Sequence, residues 1–230
     1  MNQGLFITFE GTEGSGKSTQ IQMLAERLRS LGRIVRTLRE PGGTPIGEEI
    51  RHTLKHSDAN RAMTPEAELL LMNASRAQLV REVIRPALCR GEVILCDRFF
   101  DSTTAYQGWG RQLPLEEVQT IINFAVGETR PDLTLLLDGP VQVSEARRKT
   151  RKASLVEGPP SNLHPAPLGT NEHSRDRMEE ADRSFFERVE AGYKALAESE
   201  PGRVHRIDAT LEKEKVADRI WSAVAKLLEK

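Results

Sequence analysis

The chain lacks the marks of several protein classes. It has only two cysteines, Cys89 and Cys96, and they form no C-x-x-C pair. Two buried thiols in a reducing compartment are expected rather than a disulfide. The five histidines are scattered. Only His52 and His56 stand four apart, without the Glu that a zinc-protease helix carries, so a solvated helix face is expected there. Charge of neither sign prevails: 33 Lys and Arg face 34 Asp and Glu, a net charge of −1. The basic excess that would favour DNA or RNA as a partner is missing. No apolar run approaches the roughly 18 residues of a membrane-spanning helix. The first residues run straight into a strand pattern, with no basic leader and no cleavage site. A cytoplasmic protein with no nucleic-acid or membrane partner is expected. No internal repeat is visible. At 230 residues the chain is one large domain, or a domain with an insert, long enough to bury a core.

What is present is concentrated near the start. Residues Gly11, Thr12, Glu13, Gly14, Ser15, Gly16, Lys17 and Ser18 spell G-x-x-x-x-G-K-[ST], the loop that cradles phosphates. The run Leu5–Glu10 before it is rich in β-branched and aromatic residues, as a buried strand requires. After it, Ile21, Leu24, Ala25 and Leu28 recur on one helix face, and Gly32 supplies a stop. Strand, glycine loop and helix are the parts the chemistry needs. The glycines let successive N–H groups point inward, and the helix N-terminus adds partial positive charge. In such loops the lysine reaches the β- and γ-phosphates and the serine hydroxyl ligates Mg²⁺, which assigns these roles to Lys17 and Ser18. Thr19 completes the ATP-binding stretch. The loop alone does not separate a kinase from a switch or a motor.

Further strands are expected at Ile34–Arg39, Glu92–Asp97, Leu133–Leu137 and Val204–Ile207, with helices between them. The alternation predicts an α/β fold: a doubly wound, five-stranded parallel sheet with helices on both faces. The loop Arg39–Thr44 holds Pro41, Gly42 and Gly43 and follows a strand, so it lies at the carboxyl edge where ligands bind. Thr64, Pro65 and Glu66 open a helix expected to reach about Leu88. On it Leu69, Met72, Arg76, Val80 and Val83 share a face. Arg76 therefore either reaches for solvent or points into a polar cleft. Asp97 closes its strand as a Walker-B-type acid would, able to hold Mg²⁺ through water. Asp101–Arg111 crowds Ser102, Tyr106, Gln107 and Arg111 beside two glycines, which suits either a polar surface loop or the reading of a base and a phosphate. A helix begun by Pro140 carries Arg147, Arg148, Lys149, Arg151 and Lys152, either a solvated end or a cationic segment that closes on a triphosphate. Residues about 153–174 hold four Pro and two Gly without periodicity and read as a flexible insert within a lid of about 143–180.

Together these stretches resemble the thymidylate kinase family. The matching residues are Phe9-Glu10-Gly11 with the glycine loop, the Arg39–Thr44 loop, Asp97-Arg98-Phe99, Ser102–Arg111, Arg130–Leu135 with Asp138, Asp176–Glu179 and Asp208-Ala209-Thr210. The resemblance spans nearly the whole chain except the insert. It implies Mg²⁺-dependent transfer of the ATP γ-phosphate to dTMP, within a single domain over 1–230 and a homodimer. The residue roles follow from it. Glu13 sits near the acceptor's sugar hydroxyl and phosphate. Arg39 and Arg98 grip the acceptor phosphate, and Asp97 stands beside the metal with Ser18. Arg76 and Ser102 face the thymine, with Gln107 nearby, while Tyr106 packs under the deoxyribose and crowds a 2′-hydroxyl. The family places a catalytic arginine either in the glycine loop or in the lid. Gly14 and Ser15 offer none, so Arg147, Arg148 and Arg151 make this the bacterial lid-arginine type, with Arg151 the first choice.

Two departures stand out. Met72 occupies the position where the family usually stacks Phe on thymine. The insert also separates the lid arginines from Asp176–Glu179. The alternatives are a deoxynucleotide kinase with altered base choice, motivated by Met72, and a P-loop ATPase switch. An Asn-Lys-x-Asp guanine motif is absent, which weighs against the switch.

Overall fold

The computed structural model describes residues 4–140 and 182–228. Its strands are β1 (Leu5–Glu10), β2 (Val35–Arg39), β3 (Val93–Asp97), β4 (Leu133–Asp138) and β5 (Val204–Asp208). They form one sheet in the order β2-β3-β1-β4-β5, and every pairing is parallel. The expected doubly wound sheet is therefore the one found. The α-helices among the described residues are α1 (Lys17–Ser30), α2 (Pro45–Lys55), α3 (Pro65–Leu79), α4 (Arg85–Cys89), α5 (Phe100–Thr103), α6 (Leu115–Val126), α7 (Arg183–Ser199) and α8 (Lys213–Leu228).

Alternation along β1 divides the core. Ile7 and Phe9 pack with Leu24 and Leu28 of α1 and with Ile220 and Val224 of α8. Phe6 faces the other way, onto Leu69 and Leu79 of α3 and Ile122 of α6. Thr8 and Glu10 share the parity of Phe6. Both are fully buried polar groups, so each requires partners. Thr8 meets Thr134 across the sheet at 2.8 Å. Thr134 in turn donates to Asp101, which Arg203 clasps at 2.7 Å. Glu10 emerges at the carboxyl end of β1, level with the loop before α1.

The helix expected from Thr64 starts as its cap predicts. Thr64 Oγ1 accepts the Ala67 N–H, with Pro65 in the first turn. The helical path continues past Leu79, but a π-helical turn over Val80–Ile84 joins α3 to α4. Pro86 explains the change of winding: it lacks an N–H and its ring crowds the carbonyl four residues back. Asp101–Arg111 is no surface loop. α5 runs into a π-helical stretch over Thr104–Gly110, and Asp101, Ser102, Thr103, Tyr106 and Gln107 are all buried. This stretch packs so tightly on α7 that a side chain at Gly192 would meet Trp109 within 2.7 Å.

One cysteine expectation is corrected. Cys96 is buried on β3, but Cys89 is exposed, because it sits at the solvent end of α4. His52 on α2 and His56 at its C-cap are both exposed, as expected of a solvated face. The lid, the insert, Arg147, Arg148 and Arg151 lie outside the described residues, as does the helix expected to start at Pro140.

Candidate active site

β1 lies between β3 and β4, and the glycine loop leaves its carboxyl end. Gly11 has a φ of 130°, and a Cβ there would come within 2.5 Å of the Leu137 carbonyl on β4. Only glycine lets the loop pass the neighbouring strand. Gly16, at φ 98°, turns the chain into α1. Lys17 folds back over the loop. Its Nζ donates to the carbonyls of Gly11 at 3.1 Å and Thr12 at 2.9 Å. Burial, helped by the nearby Arg98 charge, lowers its pKa to about 8. The loop thus holds its cation ready, and a bound phosphate would replace the two carbonyls. Ser15 Oγ is buried within the loop with no hydrogen-bond partner among the described residues. Ser18 Oγ donates to Asp97 Oδ2 at 3.3 Å. A hydroxyl and a carboxylate together at the loop make a hard-oxygen donor pair of the kind Mg²⁺ takes alongside phosphate oxygens.

Beside the loop lies an open cleft, the kind of concave surface in which small molecules bind. Glu13, Lys55 and Arg98 line it, and so do Met72, Arg76, Thr103, Tyr106 and Gln107. Arg98 carries a left-handed backbone, φ 70°, uncommon for a residue with a side chain. Its Nη1 donates to Ser102 Oγ at 3.0 Å and to the Tyr193 hydroxyl at 3.3 Å. Its Nη2 donates to the Tyr106 hydroxyl at 3.2 Å, above whose ring the guanidinium sits. Burial opposes its charge, yet the surrounding Tyr106, Tyr193, Asp97 and Glu10 keep it firmly protonated.

Arg76 resolves the choice left by the sequence: it is buried, not solvated. Its Nε donates to Glu40 Oε2 at 2.8 Å, and its Nη1 to Asn73 Oδ1 and Thr103 Oγ1. Its Nη2 donates to the Phe99 carbonyl. Four of its five N–H groups are thus committed inside the protein. Burial raises the Glu40 pKa, and the Arg76 charge opposes that shift. Gln107 donates to Glu68 Oε1 at 2.8 Å, and Arg111 pairs with the same buried carboxylate. The Ser102 hydroxyl is turned toward Glu10 at 2.5 Å, and Thr103 is its neighbour beside Arg76. Arg39 is held on Glu48 at 2.9 Å and does not line the cleft.

The thymidylate kinase family profile matches residues 9–220. The chain belongs to the thymidylate kinase family. A thymidylate kinase of Thermomicrobium roseum is 44% identical over 225 residues, covering 98% of this chain and 96% of that one. One from Pseudomonas fluorescens is 46% identical over 226 residues, covering 98% and 97%. The crystal structure of thymidylate kinase from Ehrlichia chaffeensis aligns with a TM-score of 0.70 at 27% identity, over 96% of this chain and 99% of that one.

Several residues around this family's loop escape a reading of the sequence. Tyr193 carries no mark of a polar role in the sequence, yet its hydroxyl meets Glu10, Ser102 and Arg98. Glu10 closes an apolar strand just as Asp97 does, a signal that could have marked it. Thr103 lies within the Ser102–Arg111 stretch yet is not singled out there, and Lys55 and Phe186 line the cleft with no motif to mark them as site residues.

Proposed function

We propose that this enzyme transfers the γ-phosphate of ATP to dTMP, giving dTDP, with Mg²⁺ as the required ion. It is a kinase of the thymidylate kinase family. The observation that carries the reading of the site is the juxtaposition of two anion-binding ends: Lys17 in the glycine loop and Arg98 in the adjoining cleft. Two phosphorylated molecules repel each other, so a transfer site must offer cations to both. Lys17 takes the ATP phosphates with the N–H groups of residues 11–19. Arg98, with Arg39 swung from Glu48, takes the dTMP phosphate. Glu13 and Lys55 flank the join.

Met72, Arg76 and Gln107 form the base end of the cleft, with Ser102 between base and phosphate. Tyr106 lies under the sugar. Ser18 and Asp97 would hold Mg²⁺, which when bound neutralises charge on the phosphate oxygens. Arg147 and Arg151 supply the lid cations, with Arg151 the first choice for the catalytic arginine.

We also read the protein as a cytoplasmic homodimer. No helix among the described residues is long and apolar enough to cross a membrane. Leu70 on α3 and Phe124 on α6, exposed by 56% and 84%, support an interface along the long helix. Light scattering of Phe124→Glu against wild type tests the dimer. A coupled ADP-release assay over a panel of nucleoside monophosphates tests the activity. Turnover with dTMP is expected, and turnover with AMP or CMP but not dTMP would overturn the reading.

A further inference from the structure

We propose that the Glu10 carboxylate, acting through the hydroxyls of Ser102 and Tyr193, is a positioning residue that aims Arg98 at the acceptor phosphate. The inference rests on the reading of Arg98 as the phosphate grip.

Glu10 is fully buried at the end of β1. An ionised carboxylate only accepts hydrogen bonds, and Glu10 is met by three donors. The Phe99 N–H reaches Oε1 at 2.7 Å. The Ser102 and Tyr193 hydroxyls reach Oε2 at 2.5 and 2.9 Å. Each hydroxyl has one proton. With both protons directed to Glu10, the free lone pairs of both oxygens turn outward, toward Arg98. The Arg98 Nη1 lies 3.0 Å from Ser102 Oγ and 3.3 Å from the Tyr193 oxygen. Glu10 thus sets the direction of two hydroxyl dipoles, and these hold one edge of the guanidinium.

The arrangement differs from a direct ion pair in a way that suits phosphate binding. Among the described residues, no carboxylate pairs directly with Arg98. A carboxylate on the guanidinium would occupy the fork that a phosphate needs. Neutral oxygens hold Nη1, and the Tyr106 hydroxyl holds one Nη2 proton. Nε–H and the second Nη2–H, the pair that makes a bidentate fork, have no partner among the described residues. Glu10 stays close enough to offset the cost of burying the cation, yet one hydroxyl removed from it. Tyr193 stands on α7, in a helix remote from β1 and β3 in sequence, so the brace is assembled only by the fold.

Calorimetric titration of dTMP and of thymidine, which lacks the phosphate, separates positioning from general support. Tyr193→Phe keeps the ring and removes one oxygen. It is expected to weaken dTMP about tenfold, a typical loss for one hydrogen bond to a charged group. Thymidine affinity and the KM for ATP should stay within about twofold of wild type. Glu10→Gln turns an amide N–H toward the hydroxyls and should weaken dTMP further. Unchanged dTMP affinity in Tyr193→Phe would overturn the proposal, and so would equal losses for dTMP and thymidine. If wild type bound thymidine but gained nothing from the phosphate, the reading of Arg98 itself would fail. A wild type that bound neither ligand would overturn the dTMP assignment and this proposal together.

Discussion

Arg76 and Glu40 form an ion pair at 2.7 Å in which each side chain is only 3% exposed. Two charges taken so fully from water are held by each other and by the hydrogen bonds that Arg76 donates to Asn73 Oδ1, Thr103 Oγ1 and the Phe99 carbonyl. Arg76→Ala leaves the Glu40 carboxylate buried without its cation. The expected loss is about 3–5 kcal/mol of stability, read as a fall in urea midpoint. Arg76→Met with Glu40→Gln should recover most of that stability while the KM for dTMP stays raised. A double variant no more stable than Arg76→Ala would contradict the pairing argument.

Lys17→Met removes the loop cation that we propose meets the ATP phosphates. A drop in kcat of about 10²–10³-fold is expected, as for other charge-stabilising donors. Far-ultraviolet circular dichroism should remain that of wild type, because among the described residues Lys17 bonds only to the loop's own carbonyls.

Arg151→Ala is expected to lower kcat far more than it alters dTMP affinity, if the proposed lid role holds and its charge acts where negative charge develops. A kcat held within about twofold would remove Arg151 from the lid role. Arg147→Ala, measured beside it, identifies which cation acts.

Met72 lines the cleft, at what we propose is its base end. Met72→Phe should raise the kcat/KM preference for dTMP over dUMP and dGMP by giving the ring a flat face. An unchanged ratio would make Met72 a packing residue only.

Glu10 gives a pH signature. Burial first, then the Asp101 charge, raises its pKa from 4.5 to about 7 against the pull of Arg98. Below pH 4.5 the group is protonated both folded and unfolded. Between 4.5 and 7 the unfolded chain gives up the proton while the folded chain retains it. Stability from this group is therefore present at low pH and lost as the pH rises through 7, by about 3 kcal/mol. The difference in unfolding free energy between wild type and Glu10→Gln should change by this order between pH 4.5 and 8. A difference independent of pH would mean that Glu10 has an ordinary carboxyl pKa.

Much of this molecule is local and so legible in its sequence. The glycine loop declares itself because its geometry demands glycine at fixed spacing, and a Cβ at Gly11 would strike Leu137. The strands and helices follow from apolar periodicity, and the caps of α2 and α3 follow from Thr44-Pro45 and Thr64-Pro65. Family likeness pointed to Arg98, Tyr106 and Gln107 as residues of one pocket, and the fold does bring them to one cleft.

Tertiary structure decided what each polar group faces. Arg76 could have reached solvent, and its burial depends on Glu40 from a loop 36 residues away. Asp101–Arg111 lacks helical periodicity because its polar side chains are satisfied by distant elements rather than by water. Ser102 points to Glu10 and Tyr193, partners 92 and 91 residues distant. A sequence states which donors and acceptors a chain owns. Only packing decides which of them are stripped of water, and a buried polar group then takes whatever partner the fold has brought beside it.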